Sequence, residues 1–131
     1  MKFIVYIKEK RWELLGRLIG QILQSYSYSV EYVDSLGKQP STLPIDQIYI
    51  LTGSEYLHEF PPTYIILQTI PTSQTTLKSN LDAYWMTKPY IQSTKKALAI
   101  WELSATQNTL WTQHYQHSNV HTLPLYGTHT F

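Results

Sequence analysis

The chain has 131 residues, a formal net charge of +1, 43% hydrophobic residues and only 15% charged ones. That length suits one domain with a genuine core, and the weak charge excludes the positive field that draws nucleic acid to a protein. Cysteine is absent, which excludes disulfides, thiolate zinc sites and cysteine nucleophiles and is compatible with a reducing cytoplasm.

The first element is Lys2-Phe3-Ile4-Val5-Tyr6-Ile7, a continuous β-branched and aromatic run that predicts a buried strand. Its five apolar residues pass directly into Lys8-Glu9-Lys10-Arg11, too short a run for the hydrophobic region of a signal peptide. No stretch approaches the roughly 18 apolar residues of a membrane span. In the next segment, 11–27, Trp12, Leu15, Leu18, Ile19, Ile22 and Leu23 recur on one helical face. Gly16 and Gly20 lie one turn apart and allow that helix to approach a sheet closely.

Further strands are expected at 28–34, 46–53, 63–70, 98–103 and 119–126, the third closed by Gly53 and the fourth ended by Pro71. Between them, 35–44 is turn-rich and 54–60 forms a helical turn stopped by Pro61-Pro62. The segment 71–86 is a loop with a short helix. Residues 87–97 read as a helix with Thr87 as N-cap and Pro89 in its first turn. Residues 104–117 read as a helix capped by Ser104. Strands alternating with helices predict an α/β fold: a single Rossmann-like domain over 1–131, with a mainly parallel sheet of about six strands and helices on both faces. In such sheets ligands sit beyond the C-terminal strand ends.

The motifs exclude more chemistry than they assign. No glycine-rich turn follows the first strand, so neither a dinucleotide fingerprint nor a P-loop is present and no cofactor is implied. The basic turn at 8–11 reads as a solvated charge cluster, with anion contact at a helix N-terminus as the alternative. Asp34, Asp46 and Asp82 form no paired motif of the kind that holds a divalent cation on a diphosphate. His58, His114, His117, His121 and His129 read as surface histidines; His114 and His117 share a helical face but lack a zinc-binding pattern. Ser104 has no nucleophile-elbow context. Glu102 falls at a strand end beside a helix start, where ligand contact and favourable alignment with the helix dipole are equal readings. Trp101 and Trp111 read as core, whereas Tyr84-Trp85, in a polar segment, suits an exposed face that stacks on a sugar ring, with packing against the neighbouring helix as an equal reading.

The ordered series Tyr-Ile-Ile-Leu-Gln-Thr-Ile-Pro (64–71), Tyr84-Trp85 through Tyr90, Ala97 through Asn108, and Val120 through Gly127 resembles the N-terminal half of two-domain GT-B-type glycosyltransferases of large DNA viruses and bacteria. Tyr64, Ile65 and Gln68 match its first block, and Trp85 and Tyr90 its second. Ala97, Ile100, Trp101, Glu102 and Ser104 match its third, with Asn108 shifted by one and Leu103 in place of a tyrosine. Pro124, Leu125 and Gly127 match its fourth. Ile70 departs from the pattern, which has a glutamate nearby.

In that family the N-terminal half handles the acceptor and a second domain makes most nucleotide-sugar contacts. The resemblance therefore implies an acceptor-side domain, inactive alone, that needs a donor-domain subunit. Its implied ligand is a sugar or nucleotide sugar. Its implied site comprises Gln68, Thr69, Tyr84, Trp85, Ser104 and Asn108 as substrate contacts, with Glu102 as the base that accepts the acceptor hydroxyl's proton. No metal, nucleic acid or membrane span is expected, and oligomerisation is open. The rival expectations are a non-catalytic viral or accessory protein-interaction factor using the tyrosine- and tryptophan-rich surface, and a small nucleotide- or signal-molecule-binding protein.

Overall fold

The computed structural model describes residues 1–37, 46–54, 57, 59–68, 88–103, 111–112, 117 and 119–123. Its elements run β1 (Lys2–Tyr6), a 3-10 turn (Lys10–Trp12), α1 (Glu13–Ser25), β2 (Ser29–Val33), β3 (Gln47–Leu51), β4 (Tyr64–Leu67), α2 (Lys88–Lys96), β5 (Ala99–Glu102) and β6 (Val120–Thr122). The six strands form one sheet in the order β2-β1-β3-β4-β5-β6. Every pairing is parallel. The expected α/β fold with a Rossmann-like sheet is thus the observed one, and the sheet is wholly parallel.

The order reverses direction between β1 and β3. Crossovers from β1 to β2 and from β4 to β5 therefore travel opposite ways, and right-handed connections place α1 and α2 on opposite faces. The side chains agree. Phe3, Val5, Ile50, Ile65, Leu67 and Ala99 pack with Leu15 and Ile19 of α1. Tyr6, Leu51, Tyr64, Ile66 and Ile100 pack with Tyr90 of α2 and with Trp111 on the other face. This is the period-two alternation of strands covered on both sides, and it explains why β4 reads as the unbroken apolar run Tyr-Ile-Ile-Leu.

Register sets the level of the C-terminal edge. Tyr6 lies opposite Val33 on one side and Leu51 on the other. Beyond it, the Thr52 hydroxyl and backbone N–H both donate to the Tyr6 carbonyl, at 2.7 and 3.2 Å, and tie β3 to β1 where the sheet reverses. Gly53 then turns the chain with a φ of +63°, the left-handed conformation glycine adopts without a Cβ clash.

Helix α1 buries Leu15, Gly16, Ile19 and Gly20. The two glycines pull the helix toward the sheet and centre the buried stripe on themselves. Ile22, expected on that face, is consequently 39% exposed, and Leu14 is 56% exposed. A Cβ on Gly20 would lie 2.1 Å from the Tyr32 hydroxyl of β2, so this close approach requires glycine. The helix ends in a Schellman motif: Tyr28 N–H donates to the Leu23 carbonyl and Ser27 N–H to that of Gln24. Ser27 carries the positive φ, 69°, that the motif demands. Among the described residues no helix is long and apolar enough to cross a membrane.

Candidate functional site at the C-terminal edge of the sheet

Two open clefts flank the C-terminal ends of β2 and β1, and the smaller also reaches Leu57 and Glu59 in the segment between β3 and β4. The larger, about 740 Å³, is lined by Ile7, Lys8, Glu9, Lys10, Glu13, Arg17, Tyr32, Val33, Asp34 and Ser35. The smaller, about 330 Å³, is lined by Tyr6, Lys8, Asp34, Ser35, Leu36, Gly37, Leu57 and Glu59. Lys8, Asp34 and Ser35 belong to both. The clefts therefore lie on opposite faces of the sheet edge and meet over the ends of β1 and β2, beside the reversal point where doubly wound sheets bind ligands.

The charges along this edge divide into paired and unpaired sets. Arg11 pairs with Glu9, and Arg17 pairs with Glu13 one helical turn away at 3.2 Å. Arg17 also lies over the Tyr32 ring, 4.7 Å from its centroid. The Tyr6 hydroxyl is held above its ordinary pKa, chiefly by burial and then by the negative charges of Asp34 and Glu9.

Gln68 directly follows β4 and Glu102 ends β5, and the sheet brings them to the same edge: Gln68 N–H donates to the carbonyl of Trp101 at 2.9 Å. Both side chains are buried, at 2% and 1% exposure. The Tyr90 hydroxyl donates to Gln68 Oε1 at 3.2 Å. Its single proton is thereby committed, so Ser54 Oγ donates to the Tyr90 oxygen at 3.0 Å. Ser54, Tyr90 and Gln68 form a directed buried chain joining β3, α2 and β4.

The Glu102 carboxylate is held on both oxygens. Oε1 accepts from the Leu103 N–H at 3.0 Å and Oε2 from Trp111 Nε1 at 2.9 Å. Trp111 in turn stacks on His117, with centroids 5.4 Å apart and planes inclined by 17°. The Thr94 hydroxyl donates to the Ile91 carbonyl, so His117 Nε2 must donate the 2.7 Å bond to Thr94 Oγ1. His117, expected at the surface, is buried because this bond and the stacking satisfy both its polar edge and its face. His121 is exposed and bonds Asn119.

Of the expected site residues, Gln68 and Glu102 thus stand together at the strand ends as parts of buried networks. Thr69, Tyr84, Trp85, Ser104 and Asn108 lie outside the described residues. The described residues contain no group of three or more metal-ligating side chains. Asp34 and Ser35 escaped sequence reasoning, since only strand order brings the end of β2 beside the basic turn after β1. Comparison of the chain with protein-family models, with curated proteins and with solved structures finds no match.

Proposed function

We propose that this chain is a glycosyltransferase-like, acceptor-side domain that holds a hydroxyl-bearing ligand over the ends of β2 and β1 and acts in transfer only together with a donor domain. The supporting observation is the cleft of about 740 Å³ at the C-terminal ends of β1 and β2, a volume typical of small-molecule sites, with carboxylate and ammonium groups on its walls. The ordered likeness of 64–127 to the acceptor half of GT-B enzymes supports the class of activity but not the place of the site, because Gln68 and Glu102 stand at the ends of β4 and β5 and do not line this cleft. Glu102 is committed to Trp111 and to the Leu103 N–H, so in this reading a cleft carboxylate such as Asp34 takes the acceptor proton.

The test is amide chemical-shift mapping with a panel of neutral glycans, sugar phosphates and nucleotide sugars. Shifts confined to 6–17, 32–37, 57 and 59 are expected with at least one sugar-bearing compound. Absence of shifts with the whole panel would overturn the reading.

A second reading, a protein-interaction factor, is favoured by the exposed Leu14 and Ile22 on the outer side of α1. Leu14→Lys with Ile22→Lys would then abolish association with the partner while leaving the glycan-induced shifts unchanged.

A further inference from the structure

Resting on the ligand-binding reading above, we infer that the double cleft takes a phosphorylated polyol, with Lys8 and Lys10 on the phosphate and Asp34 with Ser35 on vicinal hydroxyls. Arg11 and Arg17 are occupied by Glu9 and Glu13. What is left over among the described residues is specific: Lys8, Lys10 and Asp34 line the larger cleft, are exposed and have no ion-pair partner. Lys8, Asp34 and Ser35 also border the smaller cleft, so a ligand bound at their junction meets both signs of charge at once.

The ligand's chemistry follows from that residue set. A phosphate monoester carries close to two negative charges at neutral pH and has three acceptor oxygens, which suits two ammonium groups. It cannot sit against Asp34, because two anions repel. A carboxylate is an acceptor only, and two adjacent hydroxyls satisfy its two oxygens. A neutral sugar would leave both lysines uncompensated, and free phosphate would leave Asp34 unused. A single molecule with an anionic end and a diol end satisfies all three and is oriented by them. Burial of Tyr6 and its proximity to Asp34 and Glu9 keep that hydroxyl protonated, so it adds a neutral donor to the wall of the smaller cleft.

A hexose phosphate and the ribose phosphate of a nucleotide share this chemistry, and the experiment separates them. The full chain is titrated by calorimetry with glucose 1-phosphate, uridine 5′-monophosphate, glucose and inorganic phosphate, with chemical-shift mapping of each. The Lys8→Ala/Lys10→Ala pair is expected to weaken both organic phosphates and inorganic phosphate at least tenfold. Asp34→Asn is expected to weaken the organic phosphates at least fivefold, yet to leave inorganic phosphate unchanged or tighter, because a repelling charge has gone. Both variants alter exposed side chains, and an unchanged far-ultraviolet spectrum with an unchanged unfolding midpoint shows that they fold.

The relative affinities of glucose 1-phosphate and uridine monophosphate assign the source. Tighter binding of both organic phosphates to Asp34→Asn would overturn the diol role, and insensitivity to the lysine pair would overturn the phosphate role. Binding of neutral glycans without any phosphate ester would sink this inference and leave the acceptor reading standing. Binding of no sugar-bearing compound would sink both.

Discussion

Trp111 Nε1 donates to Glu102 Oε2 at 2.9 Å, and the same carboxylate accepts the N–H of Leu103 through Oε1. A strand end and a tryptophan further along the chain are thus joined through one buried anion. Hydrogen bonds to charged groups contribute about 1.5–3 kcal/mol each, and orphaned buried donors are expensive. Glu102→Ala should therefore destabilise the fold by on the order of 3 kcal/mol. Glu102→Gln keeps one acceptor but points an amide N–H at the second donor, so it should cost about half as much. Urea unfolding followed by tryptophan fluorescence measures both. A fully stable Glu102→Gln protein with lost ligand binding would return this carboxylate to a chemical role.

The Gly20–Tyr32 contact gives a second test. A Cβ at Gly20 would lie 2.1 Å from the Tyr32 hydroxyl and 2.7 Å from its ring, and Arg17 holds that ring from its face. At Gly16 the clash is with Cδ1 and Cγ1 of Ile7, at 2.5 and 2.7 Å, in an aliphatic side chain that can change rotamer. Alanine gains about 1 kcal/mol of helix propensity at either site, whereas overpacking against a fixed group costs about 1–3 kcal/mol. Gly20→Ala should accordingly lower the unfolding midpoint, and Gly16→Ala should be neutral or mildly stabilising. Equal destabilisation by the two would show that α1 cannot tolerate a Cβ anywhere on this face.

Ser27 offers the opposite sign. It occupies the left-handed position of the Schellman motif that ends α1, with a φ of 69°. The conformation costs a residue with a Cβ about 1 kcal/mol relative to glycine. The side chain is exposed, so nothing is lost by removing it. Ser27→Gly should stabilise the protein by about 0.5–1 kcal/mol, seen as a higher denaturation midpoint at unchanged slope.

Local patterns made the strands legible. Runs such as Phe-Ile-Val-Tyr and Tyr-Ile-Ile-Leu carry their own burial signal, and the paired glycines of α1 announce a close approach. The strand order is not local, and most of the cleft depends on it. Lys8 and Lys10 read as a solvated cluster because nothing near them in the chain reveals Asp34, which parallel pairing of β1 with β2 brings alongside. Glu102 was visible as a carboxylate at a strand end, but its burial follows from Trp111, whose indole N–H reaches it from a later segment. His117 is similar: a polar residue near the chain's end is buried once Thr94 and Trp111 supply a partner and a stacking face.

Tyr64 connects the core to alkaline stability. Burial pushes its hydroxyl from 10.0 up to about 12, and that hydroxyl donates to the carbonyl of Ser93 in α2. Between those two pH values the unfolded chain releases the proton while the folded chain keeps it. The unfolded state then binds fewer protons, so stability falls as pH rises. The contribution is complete below pH 10.0 and is lost progressively toward about 12. Tyr64→Phe removes both the hydrogen bond and the titration. It should lower stability near neutrality by about 1 kcal/mol and flatten the decline above pH 10.0. Denaturant midpoints measured across the alkaline range for both proteins decide the matter: parallel declines would mean that Tyr64 ionises as readily folded as unfolded.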